Sequence, residues 1–460
     1  MFTGDFMRLL FFFTGIITLL GITWLLSVKK KEIKLRPILW GLGLQFAFGL
    51  LVMKWDFGRW CLQKVADGVA AFLDFSIEGS KFLFDRLAMA EYYNIFGYQW
   101  AIRVLPTIIF FASFIAILYH YGIMQRIVWV MAKVMSKTMG TSGSESLSCA
   151  ANVFVGQTEA PLIVKPYIGT MTMSEINAVM VGGFGTIAGG VMAGIIGMGV
   201  NPAYVITASL MAAPASLMVA KILYPETEES NTAKEVTAEL NITSSNGIEA
   251  AANGAHDGLF LALNVAGMLI AFVSLIAVIN ALLGKLDYLI DYKLFGCILD
   301  PSTNEYMGYF PGSLRTIFST LLYPLAWLMG VPQKDCGIFS YLLGMKISLN
   351  EFVAYMELIK FQDVLLPQAE MLATQAGGIF ASALPARELL SVKAETMATF
   401  ALCGFANFAS IAIQIGGISP MVPENQQEEL RGKLSRLGVR AMFGGAIVSC
   451  LTATIAGLLM

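Results

Sequence analysis

The 460-residue chain is 57% hydrophobic and 13% charged, with a mean hydropathy of +0.69 and a formal net charge of −2. An ordinary soluble domain carries about 25% charged residues, so this chain has too little polar material to coat soluble domains and is read as embedded in a bilayer. Near-neutral charge without a basic, aromatic-interleaved patch argues against a nucleic-acid partner. Six scattered cysteines without a CxxC pair, and two histidines far apart, argue against a disulfide framework or a zinc site.

Met7–Val28 is an apolar run of spanning length, followed and not preceded by Lys29, Lys30, Lys31, Lys34 and Arg36. It reads as a retained first span and not as a signal peptide. Pro37–Met53 is a second span. Trp55–Tyr93 mixes Asp56, Asp67, Asp74, Glu78 and Asp85 with aromatics and suits a pair of interfacial or extramembrane helices. Ala101–Tyr121 is a third span, and Met124–Met139 has the amphipathic spacing of an interfacial helix.

Gly140–Gly169 is rich in Ser, Asn, Gln and Glu although it sits between membrane segments. Ser174–Val200, which is Gly-rich, and Ala203–Leu223 span again. Tyr224–His256 reads as a polar extramembrane loop, in which the sequon Asn241-Ile242-Thr243 is taken as a chance occurrence. Gly258–Leu283 spans, Asp287–Asn304 is a polar connection, and Leu314–Gly330 is a second interfacial stretch. A second polar run, Val331–Lys360, precedes the spans Ala394–Ile418 and Leu437–Leu459. The expected fold is thus an all-α polytopic membrane protein of about eight transmembrane helices with interfacial helices. Lys and Arg cluster at Lys29–Arg36 and at Arg431, Lys433, Arg436 and Arg440, which assigns these connections to the cytoplasm and both termini to the outside.

The order interfacial helix, glutamate-bearing polar run, Gly-rich span occurs twice, around Met124–Val200 and around Leu314–Ile418, starting from opposite sides of the membrane. Inverted repeats with interrupted helices point to a secondary transporter whose site lies where the two units meet. Each polar run has the length of a re-entrant hairpin, two short helices meeting at a tip, with Glu159 and Pro161 at one tip and Asn350 and Glu351 at the other. A carboxylate in a bilayer is costly and usually faces a cavity. Asn264 and Asn280, single polar residues in an apolar span, read as interhelical glue. The chain divides accordingly into 1–121 (scaffold spans and interfacial helices), 122–223 (first transport repeat), 224–310 (loop and scaffold span) and 311–460 (second transport repeat).

At GQTEAPL (Gly156–Leu162), NEFVAY (Asn350–Tyr355), and CGFAN with SIAI (Cys403–Ile413), the chain resembles the concentrative nucleoside transporters, and the span order agrees beyond the first two spans. The resemblance implies a Na+-coupled, alternating-access symporter for nucleosides such as uridine. It also implies a homotrimer with no organic cofactor, and the short loops of the polytopic chain point to a bacterial inner membrane. It implies that Gln157, Thr158 and Glu159 meet the nucleobase and that Glu351, Asn407 and Ser410 hydrogen-bond the ribose. Phe405 packs near the base, and Val191 joins the substrate site. The Na+ site it implies is Asn152, Val155, Thr186 and Ile187, with Thr186 where the family pattern has Ser. Proton coupling, with Glu159 as carrier, stays an alternative. A channel and an intramembrane enzyme are further readings, the latter without an HExxH or GxSxG motif.

Overall fold

The computed structural model describes residues 2–92, 95, 99–232, 244–300, 305–362 and 389–460. The sequon at Asn241 lies outside the described residues. The chain is built from helices: α1 (Phe2–Leu25), α2 (Leu35–Met53), α3 (Asp56–Asp74), α4 (Ser76–Phe84), α5 (Trp100–His120) and α6 (Ile123–Met139). The first repeat continues through α7 (Gly143–Ala151), α8 (Met173–Gly185), α9 (Gly189–Gly197) and α10 (Pro202–Leu223). A long helix, α11 (Gly247–Asp287), leads to a two-residue antiparallel ladder, β1 (Leu299–Asp300) against β2 (Glu305–Tyr306). The second repeat comprises α12 (Leu314–Leu321), α13 (Tyr323–Leu328), α14 (Cys336–Ser348), α15 (Glu351–Lys360), α16 (Val392–Leu402), α17 (Phe408–Ile418) and α18 (Glu424–Leu459).

Among the described residues six helical segments are long and apolar enough to cross a bilayer, two of them in the central part of α8–α9 and α10. The apolar part of α1 and the segment Phe408–Met421 are shorter. Together these reproduce the order of spans read from the sequence, with Ser174–Val200 and Ala394–Ile418 each interrupted. Charged stretches are helical as expected in α3, α4 and α6.

Two local readings change. Residues 247–256, read as part of a loop, are the first turns of α11. Asn246 starts them by accepting from Ile248 N (3.0 Å) and Glu249 N (2.9 Å). The first hairpin has one α-helical arm, α7, whereas its returning arm is turns, a short 3₁₀ stretch (Ala160–Val164) and a four-residue turn of helix. Pro161 and Pro166 lack the N–H that a continuous α-helix needs there.

The core lies in the repeats. α8, α10 and α18 are buried over most of their apolar length, whereas α5 is mostly half-buried and α11 largely exposed. α1 packs on α18 and α2 on α10, while α5 lies along α11 on one side and along α9 on the other. Exposed Leu263, Ile270 and Val273 make the outer face of α11 apolar, a surface suited to hydrocarbon and not to water.

Candidate functional site

Two helix interruptions build the site. α8 stops at Gly185 and α9 begins at Gly189, leaving Thr186–Ala188 unwound. α16 stops at Leu402, and Gly404 takes φ +130°, which only glycine adopts without strain. Asn407 then restarts the chain as α17 by accepting from Ser410 N at 2.9 Å. The interruptions touch: Phe405 N donates to Thr186 O (3.2 Å). A Cβ on Gly404 would stand 2.9 Å from Phe184 O and 3.0 Å from Gly185 O, so the close approach also requires glycine.

The hairpin tips close on these breaks. α14 and α15 meet at Leu349–Asn350, and Asn350 caps α15 by accepting from Val353 N (2.9 Å). This sets Glu351 on the first turn of α15, where Asn407 Nδ2 donates to Glu351 Oε2 at 3.2 Å. From the other hairpin, Gln157 Nε2 donates to Ser410 Oγ (3.2 Å), and Gln414 Nε2 donates to Gln157 Oε1 (3.0 Å) and Met180 O (3.2 Å). Thr158 Oγ1 donates to Glu159 Oε1 at 3.0 Å. Each repeat's tip is therefore joined to the second repeat's break.

A cavity of about 900 Å³ opens beside this junction. It is lined by Val155, Gln157, Thr158, Glu159, Val191, Glu351, Phe405, Asn407 and Ser410, with Phe111 and Tyr119 of α5 and Asn264 of α11 also in its walls. Glu351 is 4% exposed and Glu159 is exposed, so the two carboxylates meet the cavity in different ways. Mixed apolar walls with a few convergent polar groups are the form of a small-molecule site.

Asn152, Thr186 and Ile187 do not line the cavity; they are buried. Asn152 is the C-cap of α7, and its Nδ2 donates to Ser148 O (3.1 Å), while its Oδ1 is buried without a hydrogen-bond partner. Thr186 Oγ1 donates to Gly182 O (2.7 Å) and keeps lone pairs for another ligand. A buried acceptor without a donor is costly unless something is bound to it. Neutral hard oxygens of this kind suit Na+ as a co-transported ion, so the chemistry of these residues fits it.

The sequence reading missed Gln414. Its signal was spacing: with Asn407 and Ser410 it repeats at i, i+3 and i+7 along one face of an otherwise apolar helix. Asn264, read as glue, lines the cavity instead. Asn280 does act between elements, accepting from Leu314 N at 3.0 Å.

A sequence model described as "Na+ dependent nucleoside transporter C-terminus" matches residues 204–457, and its N-terminal counterpart matches 14–87. A model named "Gate", described as "Nucleoside recognition", matches 101–201. An "Uncharacterized transporter" of Haemophilus influenzae is 41% identical over 445 residues, 96% of each chain. Sodium/nucleoside cotransporter 1 of Homo sapiens is 38% identical over 448 residues, 97% of this chain and 63% of that protein, so the chain spans less than two thirds of that relative's length. The structure of CNTnw in an inward-facing substrate-bound state is similar with a TM-score of 0.83 at 38% identity, covering 98% of both chains. A substituted CNTnw in an outward-facing state gives 0.84, again at 38% identity and 98% coverage of both chains.

Proposed function

The chain belongs to the Na+-dependent nucleoside transporter family, and from that premise we propose that it is a secondary active symporter importing nucleosides such as uridine on an inward Na+ gradient. The observation that carries this reading is the junction at which Gln157 reaches Ser410 and Asn407 reaches Glu351 beside one cavity. Glu351, Asn407 and Ser410 bind the ribose hydroxyls. Gln157, Thr158 and Glu159 meet the base, and Val191 and Phe405 pack on it. A carboxylate accepting from hydroxyls rejects analogues lacking them, because its buried acceptors are then left unpaired. Na+ is held by Asn152 Oδ1, the Thr186 hydroxyl and the carbonyls of Val155 and Ile187, and the partnerless Asn152 oxygen supports this assignment.

Transport proceeds by alternating access in a homotrimer of the inner membrane, with both termini outside and re-entrant hairpins at the tips named above. The moving body comprises the repeats, 122–223 and 311–460, and the scaffold includes α5 and α11. The packing of α1 on α18 and α2 on α10 favours a division in which these two helices travel with the repeats, although the sequence division groups 1–121 as scaffold.

The test is uptake of labelled uridine into proteoliposomes under an inward Na+ gradient, an inward proton gradient, or neither. Accumulation under Na+ alone is the expected result. Accumulation under protons alone would move coupling to a carboxylate, Glu159 first. No accumulation from folded protein would remove uridine as the substrate.

A further inference from the structure

The two helix breaks are related by the inverted repeat but are stabilised by different chemistry. The end of α8 relies on neutral groups: the Thr186 hydroxyl donates to Gly182 O (2.7 Å) and the Gln414 amide to Met180 O (3.2 Å). Among the described residues, buried side-chain oxygens without a hydrogen-bond partner on the elements around this break include Ser148 Oγ, Asn152 Oδ1, Ser216 Oγ and Gln414 Oε1. Ser148 and Asn152 sit one turn apart on α7, and Ser216 Oγ lies 2.5 Å from where a Cβ on Gly185 would stand. This end of α8 has acceptors left over.

The end of α16 is served by a buried cation of the chain itself. Lys346 of α14, 0% exposed, extends its ammonium to this end, donating to Ala401 O (2.9 Å) and Ser449 Oγ (2.7 Å). Ser449 Oγ in turn donates to Cys403 O (2.8 Å), and Tyr355 Oη donates to Thr399 O (2.7 Å). A fully buried ammonium carries a large desolvation cost. Lys221 offsets its burial with a directly bonded carboxylate, Glu145, at 2.7 Å, whereas the two groups bonded to Lys346 are a backbone carbonyl and a hydroxyl at the negative end of a half-helix, with the Glu351 carboxylate acting on it without a direct bond. Half-helix C-terminal ends and unwound carbonyls are where transporters of this architecture hold a cation.

We propose that Lys346 is the tethered cation of the second repeat: its ammonium does at the α16 break what Na+ does at the α8 break, so one break takes a mobile ion and the other a built-in one. This deepens the symport reading and rests on it. Lys346 is a positioning residue, since it fixes the carbonyl end of the break that presents Phe405, Asn407 and Ser410. Coupling is then limited to one Na+ per nucleoside, because the second cation position travels with the protein and is never emptied.

The test measures ²²Na+ and labelled uridine uptake in the same proteoliposomes, for the wild type, Lys346→Met and Lys346→Asn. The wild type is expected to give a flux ratio of about 1 and a Na+ activation curve with a Hill coefficient of about 1. Lys346→Met, of similar length without charge or donor, is expected to lose about tenfold or more in uptake at every Na+ concentration. Lys346→Asn, which leaves an oxygen and room, is expected to make Na+ activation sigmoidal, with a Hill coefficient rising toward about 2. A merely structural lysine would lower the amount of folded transporter without changing the shape of that curve. A wild-type flux ratio of about 2, a measurement that needs no variant to fold, would overturn the assignment, as would a Lys346→Met transporter with unaltered rate. Absence of Na+-driven uptake by the wild type is a separate result, and it defeats the symport reading itself.

Discussion

At the scale of single residues, the site depends on a few acceptors that must not be left without donors. Glu351 is buried and takes the Asn407 amide at 3.2 Å on one oxygen, which leaves acceptor capacity that the proposed site gives to substrate hydroxyls. Replacing it by Gln keeps the shape and exchanges an acceptor for a donor, so two donors then oppose each other. An unpaired buried polar group costs about 1–3 kcal/mol, so Glu351→Gln is expected to reduce uridine uptake by roughly 10- to 100-fold. The protein should remain inserted and monodisperse, and near-normal uptake would take Glu351 out of the site. Asn152→Ala removes the buried Oδ1 that has no partner. Its expected effect is a rise of about tenfold in the Na+ concentration for half-maximal uptake, with a smaller change in uridine affinity at saturating Na+. A Na+ curve that does not move would exclude Asn152 from the ion site. The glutamates were legible in the sequence because carboxylates are rare between membrane segments. Gln414 was missed: its spacing from Asn407 and Ser410 placed it on their face, but its role shows only in its partners, Gln157 and Met180.

At the scale of elements, the interruptions were readable from glycine content, but their contact was not, because Phe405 and Thr186 are more than two hundred residues apart in sequence. Gly404 is the position where this contact is most demanding. It combines φ +130° with a virtual Cβ 2.9 Å from Phe184 O and 3.0 Å from Gly185 O. Gly404→Ala should therefore cost about 1–3 kcal/mol of strain, seen as a lower unfolding midpoint in detergent together with loss of uptake. Gly432 provides the contrast: it is exposed on α18, and a Cβ there meets nothing within 4 Å. Ala at that position should be neutral or stabilising by up to about 1 kcal/mol, from helix propensity alone. Equal effects at both positions would mean that the break is not sterically specified. The start of α11 was misread for a related reason. Hydropathy reports which side chains can leave water, so the polar turns of a helix that runs on past its apolar stretch look like a loop. The returning arm of the first hairpin departs from a helix because two prolines interrupt it, a cue that was present in the sequence.

At the scale of the whole molecule, the two contacts of α5 differ in a way that bears on movement. Toward α11 the fit is locked: a Cβ on Gly254 would meet Ala112 O at 2.7 Å and Ala116 Cβ at 2.6 Å, and one on Gly258 would meet Ile109 Cα at 2.9 Å. Toward α9, α5 is met through side chains and not backbone. A Cβ on Gly189 would meet Phe111 Cε1 at 2.7 Å, and one on Gly194 would meet Ile108 at 3.3 Å and Phe352 Cε1 at 3.4 Å, while one on Gly190 would meet Leu261 of α11 at 3.3 Å and Ile108 at 3.8 Å, and one on Gly197 Thr107 at 3.8 Å. The glycines of α9 thus meet movable side chains of α5, while close contact with the α5 backbone fixes α5 to α11. The order of spans and the inverted repeat could be read from one sequence, but which helices form a rigid pair could not, because that depends on clearances of tenths of an ångström. If the repeats move against α5 and α11, a covalent bridge across the α5–α9 contact must stop transport. Cysteines at Ile108 and Gly194, in a background with the six native thiols replaced, are near enough in side-chain reach for a disulfide, whose Cβ atoms need roughly 3.5–4.5 Å. Oxidation is expected to reduce Na+-driven uridine uptake at least about tenfold, and reductant to restore it, with uridine binding retained in the bridged protein. Full uptake with the bridge shown to be formed would mean that α9 is stationary against α5, and the moving surface would have to be sought elsewhere.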